Sequence, residues 1–400
     1  LAQVIPRPPV SLSDRAFEVS PLRIQHFDAR AKIFTMIETA GILGGGCALC
    51  LAAYAANWRL ERRVAHINTG AQRRELYPVD VPLSTGAKQV MNASDLQVKR
   101  QVAKLEDGTE IFYQSIKPKE KAITHVCIFL HGYMGSGDLY LHFVAEWARR
   151  GALVLCPDLP GHGRSDGMLT YIPDWWAWVD TIWAAIDMML KEEVSGELPV
   201  FVSGGSLGGG LSVCLCLQRP TFFRGAVLMC PMLTVSDDVK PPWIVQQIFK
   251  NIIAPLLTSW PVTPSTEVTT LDFRVAEHGK QLNDTNPLSM HGLSPRLGTG
   301  RELAFTYPDR LGEHMAEMQT PFILLHGTGD KVTDPDTSQK MYDVAAAKDK
   351  TIKLYDGVYH AELFSCMPGS HEGLEWTKEE LEATRVCLQD SAAWMAERCR

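Results

Sequence analysis

A serine flanked by glycines gives this sequence of 400 residues its most reactive pattern. Ser206 lies in GGSLG (residues 204–208), directly after the apolar run PVFVS and before the helical stretch LGGGLSVCLCLQ. A strand, a tight turn and a helix in this order form a nucleophile elbow, in which a strained serine exposes its hydroxyl. The pattern predicts Ser206 as the nucleophile of an acyl transfer. The alternative is a glycine-rich turn that contains a serine by chance.

A nucleophilic serine needs a base, and the base needs an orienting acid, in the chain order Ser, Asp or Glu, His for this kind of elbow. In PFILLHGTGDKVTDP an apolar strand is followed by Asp330, with Asp334 as the rival. Asp334 precedes a proline and therefore fits the cap of the next helix better. The strand TIKLY is followed by His360 in the loop GVYHAEL, with His371 as the nearest rival. We predict Asp330 as the acid and His360 as the base.

The segment HGYMG (residues 131–135) follows another strand, THVCIFL, and is placed to stabilise an oxyanion. Backbone N–H groups from such a loop and from the residue after the nucleophile form the oxyanion hole. The predicted donors are Tyr133 and Leu207, and the alternative is a plain glycine-rich turn. His326, at the end of its strand, is interpreted as a packing residue.

The elements that must position these side chains alternate from about residue 95 onwards. Short apolar runs alternate with longer helical patterns, which predicts an α/β fold with a mostly parallel sheet and helices on both faces. A hairpin is expected at Asp107-Gly108. The other expected strands are 124–130, 152–156, 199–203, 226–230, 321–326 and 351–355, and the expected helices are 138–150, 174–192, 207–218, 336–347 and 374–398.

Residues 233–320 are too long for a simple crossover and carry their own helical patterns, which predicts an inserted helical cap, or lid. The predicted catalytic domain then comprises 96–232 and 321–400, behind an N-terminal extension, 1–95. In the cap, apolar residues recur at a spacing of four, and core packing is the first interpretation, a chain-binding or membrane-docking face the second. These residues are Ile244, Ile248, Ile252 and Leu256. A tryptophan group before the nucleophile strand is interpreted as core rather than ligand-binding (Trp175, Trp176, Trp178 and Trp183).

The composition excludes several classes of protein. With 39 basic and 46 acidic residues the net charge is −7, and without a long basic stretch this argues against nucleic-acid binding. Hydrophobic residues at 46% and charged residues at 21% are ordinary for a globular chain and exclude disorder, collagen and a multi-span membrane protein. Ten cysteines are too few for a disulfide scaffold, and several lie in apolar runs. Buried free thiols in a reducing compartment are expected.

Residues 39–58 form an uncharged run of 20 residues, which as a helix would span about 30 Å, roughly one bilayer core. We expect a single transmembrane helix here, and a packed soluble helix is the alternative because glycines weaken the pattern. Arginines directly after the run favour a cytoplasmic catalytic domain. The expected localisation is therefore at a membrane with the catalytic domain in the cytoplasm, and the alternative is a soluble cytoplasmic protein.

Five segments in order resemble the α/β-hydrolase monoacylglycerol lipases, particularly a plant and algal group that includes esterases of phenolic acids: HGYMGSG, PDLPGHGRSDG, GGSLGG, HGTGDKVTDP and KLYDGVYH. The similarity covers about residues 97–390. It implies the α/β-hydrolase fold, Ser206, Asp330 and His360 as the catalytic residues, and Tyr133 and Leu207 as oxyanion donors. Two residues depart from the pattern. Gly205 stands where these lipases usually carry His or Gln, and Leu207 where Met is usual.

The expected function is that of a serine hydrolase for carboxylic esters of lipids. The resemblance implies cleavage of monoacylglycerol to fatty acid and glycerol through an acyl-enzyme, without metal or organic cofactor. One alternative is an esterase or lysophospholipase for other acyl or aroyl esters. Another is a non-catalytic, membrane-tethered binding module. The expected partners are a lipid ester substrate and a membrane, and no nucleic acid.

Overall fold

The computed structural model describes residues 46–234, 242–263, 268–290 and 292–399. The chain divides after Trp58, and the second unit, Arg59–Arg400, contains the sheet. Of the predicted membrane segment, residues 39–45 lie outside the described residues, and the rest forms the start of helix α1 (Gly46–Val64). Among the residues that the structure describes, no helix has the length and apolar character needed to cross a membrane.

The second unit is built on an eight-stranded sheet in the order β1-β2-β4-β3-β5-β6-β7-β8. β2 is antiparallel to both β1 and β4, and all the remaining neighbours are parallel, which confirms the predicted α/β-hydrolase fold. The strands are β1 (Leu96–Lys104), β2 (Glu110–Pro118), β3 (His125–Leu130), β4 (Ala152–Pro157), β5 (Val200–Gly205), β6 (Gly225–Met229), β7 (Phe322–Gly327) and β8 (Lys350–Tyr355). The six strands predicted beyond the hairpin begin and end within two residues of these bounds.

The predicted hairpin joins β1 to β2, with Lys104 paired to Glu110. Asp107 accepts a hydrogen bond from the backbone N–H of Thr109 at 2.8 Å, and Gly108 has φ +92°. Glycine occupies this left-handed conformation at little cost, so Asp107-Gly108 fixes the turn.

Helices cover both faces of the sheet, because alternate side chains of the buried strands point to opposite faces. α5, α6 and α12 pack on one face, and α3, α4 and α13 pack on the other. Up to the insertion the helices are α1, α2 (Gly70–Leu76), α3 (Thr85–Met91), α4 (Gly137–Arg149), α5 (Trp175–Glu193) and α6 (Leu207–Gln218). The insertion between β6 and β7 carries α7 (Trp243–Ile248), α8 (Ala254–Leu256), α9 (Ala276–Thr285), α10 (Leu297–Arg301) and α11 (Tyr307–His314), and α12 (Pro335–Val344) and α13 (Lys378–Arg398) follow.

The tryptophan group belongs to the core, as expected. Trp175 is fully buried, Trp178 and Trp183 are each 5% exposed, and Trp176 packs against the same cluster. The ring of Trp175 lies 4.4 Å from that of Tyr307 at the start of α11, so this aromatic cluster joins α5 to the insertion.

The core-packing interpretation of the first cap helices is wrong. α7 continues through a π-helical turn, Phe249–Ile253, into α8, and most apolar residues of this stretch remain accessible to solvent. A helix on the surface of a domain buries only the face that packs against the domain. A surface helix that is apolar around most of its circumference therefore exposes part of its apolar surface to solvent. The exposed fractions are 63% for Ile244, 45% for Ile248, 53% for Ile252 and 75% for Leu256.

Residues before β1 are bound closely to the sheet domain. Arg73 in α2 is fully buried and donates hydrogen bonds to the carbonyl oxygens of Ser165 and Gly167 in the loop after β4. From that loop, Arg164 donates to the carbonyl oxygens of Tyr77 and Val81. The boundary placed at residue 95 and the division into catalytic domain and cap stay predictions, but this part of the chain supports the loop after β4.

A second buried arginine connects the cap with the residues before the sheet. Arg296 is fully buried, and it pairs with Glu61 at 2.5 Å and donates to Asn68 at 3.0 Å. It also donates to the backbone carbonyl oxygens of Leu169 and Ser259. One guanidinium therefore holds together the end of α1, the loop after β4 and the cap.

Candidate active site

Ser206 occupies the tight turn between β5 and α6. Its φ is +55°, in a region that non-glycine residues rarely adopt, and its backbone N–H donates to the carbonyl oxygen of Met229 at 3.0 Å. A Cβ atom on Gly208 would lie 1.9 Å from the carbonyl oxygen of Leu130, so only glycine allows the helix to approach β3. The local geometry is that of the predicted elbow.

Asp330 and His360 come together at the carboxyl ends of the parallel strands β7 and β8, as the sequence predicts. The carboxylate Oδ2 of Asp330 accepts a hydrogen bond from Nδ1 of His360 at 2.6 Å, and both side chains are buried. A carboxylate at Nδ1 leaves Nε2 unprotonated in the neutral imidazole, as a base requires. The rival Asp334 caps α12 instead, accepting from the N–H of Asp336.

Several hydrogen-bond donors contact the carboxylate of Asp330. Oδ1 accepts from the N–H groups of Val332 at 2.7 Å and Thr333 at 2.9 Å, and Oδ2 accepts from the Thr333 hydroxyl at 2.9 Å. Nε2 of His326 lies 3.1 Å from Oδ2, so His326 contacts the acid in addition to packing. Burial alone would raise the pKa of Asp330, but His360 and His326 outweigh it and hold the pKa well below its usual range. The acid is therefore ionised at neutral pH.

His360 is buried, and its Nε2 lies 4.0 Å from the sulfur of Cys230, the residue after β6. Burial by itself lowers the pKa of the imidazole, whereas the nearby Cys230 sulfur and the Asp330 carboxylate raise it, and the net shift is upward. Within the described part of the chain, no hydrogen bond joins the Ser206 hydroxyl to His360. Such bonds often form fully only when substrate binds.

The loop after β3 approaches the nucleophile. A Cβ atom on Gly132 would lie 3.5 Å from Cβ of Ser206 and 3.2 Å from the hydroxyl oxygen of Tyr140. The N–H of Tyr133 makes no backbone hydrogen bond to another described residue, and Leu207 is the first residue of α6, where an N–H has no acceptor within the helix. Both predicted donors are therefore available to a ligand.

Several residues at this centre were not singled out from the sequence. Thr333 contacts both Asp330 and His360, and its hydroxyl oxygen lies 3.1 Å from Nδ1 of His360. Asp272 comes from the cap, and its carbonyl oxygen accepts from the N–H of Ala361 at 2.9 Å. Burial raises the pKa of the Asp272 carboxyl to about 6. Thr333 follows Asp330 by three residues, but its contact with His360 and the contact of Asp272 with Ala361 join segments far apart in the chain, which no local pattern indicates.

At Gly205, where the related lipases usually carry His or Gln, the structure leaves no room for a larger side chain. A Cβ atom on Gly205 would lie 2.7 Å from the ring of Phe364, so this aromatic side chain occupies the space that a larger residue before Ser206 would need. The floor of the site is thus built by the loop after β8 rather than by the residue before the nucleophile.

Three side chains here carry atoms that could bind a metal ion, those of Cys230, Asp330 and His360. Asp330 already accepts the Nδ1 proton of His360, and burial raises the pKa of Cys230, which disfavours the thiolate. Metal binding requires a thiolate and would break the Asp330–His360 hydrogen bond. The arrangement fits an acid–base pair better than a metal site.

Comparison with known proteins agrees with this geometry. The family model of serine aminopeptidase, S33, matches residues 121–365. Caffeoylshikimate esterase from Arabidopsis thaliana is 27% identical over 294 residues, which cover 73% of this chain and 83% of the relative. Monoglyceride lipase from Rattus norvegicus is 26% identical over 297 residues, which cover 73% of this chain and 88% of the relative.

The fold also matches solved structures. A soluble variant of monoglyceride lipase from Saccharomyces cerevisiae, in complex with a substrate analogue, superposes with a TM-score of 0.62 at 16% identity, over 77% of this chain and 96% of that one. The family match covers more than half of the chain and includes Ser206, Asp330 and His360. The protein belongs to the S33 serine aminopeptidase family of α/β hydrolases, and it is a carboxylic ester hydrolase similar to the monoglyceride lipases.

Proposed function

We propose that this protein hydrolyses monoacylglycerols to free fatty acid and glycerol, with Ser206, Asp330 and His360 as its catalytic residues. The observation that carries the proposal is the 2.6 Å hydrogen bond between Asp330 and His360. His360 lies beside Cys230, and the preceding residue, Met229, accepts a hydrogen bond from the strained turn of Ser206. The similarity to monoglyceride lipases along most of their length supports the choice of substrate.

In the proposed reaction, Nε2 of His360 takes the proton of Ser206 as the hydroxyl oxygen attacks the ester carbonyl carbon. The N–H groups of Tyr133 and Leu207 donate to the oxyanion, and the loss of one such donor costs about 2.7–4 kcal/mol. The tetrahedral intermediate collapses, and glycerol leaves with the proton from His360. Water then gives a proton to His360 and attacks the acyl-enzyme, which releases the fatty acid and restores Ser206.

The test is hydrolysis of a monoacylglycerol by the wild-type protein and by Ser206→Ala, with Ser195→Ala as an exposed serine control. We expect fatty acid release by the wild type and the control, and none above background by Ser206→Ala at unchanged thermal stability. A fluorophosphonate should label Ser206 in the wild type. Undiminished turnover by Ser206→Ala would contradict the assignment, and folded protein that neither labels nor turns over would favour the binding module.

A second candidate function is hydrolysis of aroyl or lysophospholipid esters. Its support is the similarity to caffeoylshikimate esterase, together with the Phe364 ring that occupies the floor next to Ser206. Initial rates on a monoacylglycerol, a lysophospholipid and a hydroxycinnamoyl ester at equal concentrations separate the candidates. A higher kcat/KM for the hydroxycinnamoyl ester than for monoacylglycerol would replace the first proposal by the second.

We also propose that the protein works at a membrane with its catalytic unit in the cytoplasm, the alternative being a soluble cytoplasmic enzyme. The support is the exposed apolar face of α7–α8, which includes Trp243 at 71% and Leu256 at 75% exposure. A large exposed apolar patch is typical of a membrane or protein contact. Co-sedimentation with phosphatidylcholine vesicles should decrease for Ile248→Ser/Leu256→Ser and remain unchanged for Val344→Ser on α12. Equal sedimentation of all three proteins would contradict a role for this face.

A further inference from the structure

Two residues after His360, Glu362 is a fully buried carboxylate with a complete set of donors. Its Oε1 accepts from the backbone N–H and from Nε of Arg274, both at 2.9 Å. Its Oε2 accepts from Nη2 of Arg274 at 2.8 Å and from the N–H of Tyr359 at 3.0 Å. The carboxylate thus joins the residue before His360 to a residue of the insertion between β6 and β7.

The same segment of the insertion hydrogen-bonds to the loop that carries His360 at a second point. The carbonyl oxygen of Asp272 accepts from the N–H of Ala361 at 2.9 Å, next to His360. Nη2 of Arg274 also lies 3.4 Å from the carbonyl oxygen of Gly357. Residues 272–274 therefore hydrogen-bond to the loop on both sides of His360, and a shift of this segment would carry the backbone of His360 with it.

We propose that Arg274 and Glu362 form a positioning pair, through which the cap holds the imidazole of His360 in its orientation against Asp330. The proposal rests on His360 being the base of the proposed function. Separating the pair would leave the buried carboxylate of Glu362 without its cationic partner, which is destabilising, so the cap segment and the histidine loop move together. A misplacement of reacting groups by about 1 Å lowers rates about 100-fold.

A purely structural role is the competing explanation, and a double variant separates the two. Replacing both partners of a buried ion pair with apolar residues of similar volume is often neutral for stability, whereas removing one partner is costly. Arg274→Met/Glu362→Met removes the directed hydrogen bonds but leaves no unpaired charge. Arg274→Gln breaks the pair, Arg274→Lys keeps the charge, and Arg385→Gln, which removes an exposed pair with Glu382 on α13, is the matched control.

The experiment measures four quantities for each variant. These are kcat and KM on a soluble short-chain ester, the second-order rate of fluorophosphonate labelling, the melting temperature, and the low-field proton resonance of the His360 Nδ1–H. The labelling rate reports the reactivity of Ser206 and His360 independently of substrate chain binding. The proton resonance reports the Asp330–His360 hydrogen bond without any turnover.

For Arg274→Gln we expect kcat and the labelling rate to fall together, by on the order of 10- to 100-fold, with KM within about three-fold of the wild type. The low-field resonance should shift or broaden, and Arg274→Lys should recover part of the rate. The double variant should melt within a few degrees of the wild type and remain slow. Arg385→Gln should match the wild type in all four quantities.

A stable double variant with wild-type rates and an unchanged resonance would overturn the proposal, because the pair would then serve folding only. Failure of the proposed function looks different. In that case the wild type neither cleaves esters nor reacts with the fluorophosphonate, while the resonance still shows whether Arg274 and Glu362 orient His360.

Discussion

His360 experiences opposing influences, since burial disfavours its charged form, whereas the nearby Cys230 sulfur and the ionised Asp330 carboxylate favour it. The balance raises its pKa above the ordinary value of about 6.5. A base must be neutral to accept the proton of Ser206, so its availability increases as pH rises through this raised pKa. The fraction of enzyme with a neutral His360 therefore increases with the pH of the solution.

The expected pH–rate profile follows from that sign. The acidic limb of kcat/KM should lie above about pH 6.5, with activity lost as pH falls through it. Asp330→Asn removes the negative charge, so the limb should move to lower pH and kcat should fall by about 10⁴-fold. Initial rates on a soluble ester between pH 5 and 9 measure both effects. An acidic limb at the same pH in both proteins would show that Asp330 does not set the pKa of His360.

Thr333 should matter to the acid–base pair although it exchanges no proton with substrate. Thr333→Val keeps the shape and removes the hydroxyl, which contacts Asp330 at 2.9 Å and the carbonyl oxygen of Cys230 at 3.1 Å. We expect a loss of about 1–2 kcal/mol in the free energy of unfolding and a decrease of kcat by about five-fold. Chemical denaturation and steady-state kinetics measure these quantities. Thr337→Val, at a partly exposed position of α12 whose hydroxyl donates to the carbonyl oxygen of Asp334, is the control and should keep its kcat.

The packing of β5 against the loop after β8 gives a prediction about the residue before the nucleophile. Gly205→Ala places a Cβ 2.7 Å from the ring of Phe364, and we expect it to lower the free energy of unfolding by about 1–3 kcal/mol. Phe364→Leu frees this space, so the alanine should cost less in the double variant. A double-mutant cycle by chemical denaturation measures the coupling. Additive effects would show that the two positions do not compete for space.

Local patterns were sufficient for the elements that carry the site. The run PVFVS, the glycines around Ser206 and the Asp107-Gly108 turn each fix their own backbone, so the elbow and the hairpin could be predicted. The pair Arg274–Glu362 could not, because its partners are 88 residues apart and neither has a distinctive neighbourhood. An exposed face at Ile252 and Leu256 was only the second interpretation, since apolar periodicity indicates an apolar face but not what covers it.

The molecule as a whole depends on the residues before β1. Arg73 is completely buried, and burial lowers its pKa to about 10, so the guanidinium stays charged at neutral pH. It donates to the carbonyl oxygen of Ile67, in the segment before β1, and to that of Ser165, in the loop after β4. A domain cut at residue 95 would lose this arginine and leave the carbonyl oxygens of Ser165 and Gly167 without its hydrogen bonds.

We therefore expect Arg73→Met to lower the free energy of unfolding by about 3–5 kcal/mol, because several buried carbonyl groups lose their donor at once. Chemical denaturation measures the loss, and Arg63→Met, at an exposed position of α1, should stay within about 0.5 kcal/mol of the wild type. Equal stability of the two variants would mean that the segment before β1 is dispensable for the fold.

The hydrogen bonds of Arg296 to Glu61 and Asn68 can form only late in the synthesis of the chain. Glu61 leaves the ribosome long before Arg296, which follows 235 residues later. At about 5–20 residues per second, the ribosome needs roughly 12–47 s to make the partner. During that time the apolar residues Val64 and Ile67, both fully buried in the finished protein, have no cap to pack against. Val64 and Ile67 therefore lack their cap neighbours, Leu288, Met290 and Leu293, until residues 288–296 have emerged from the ribosome.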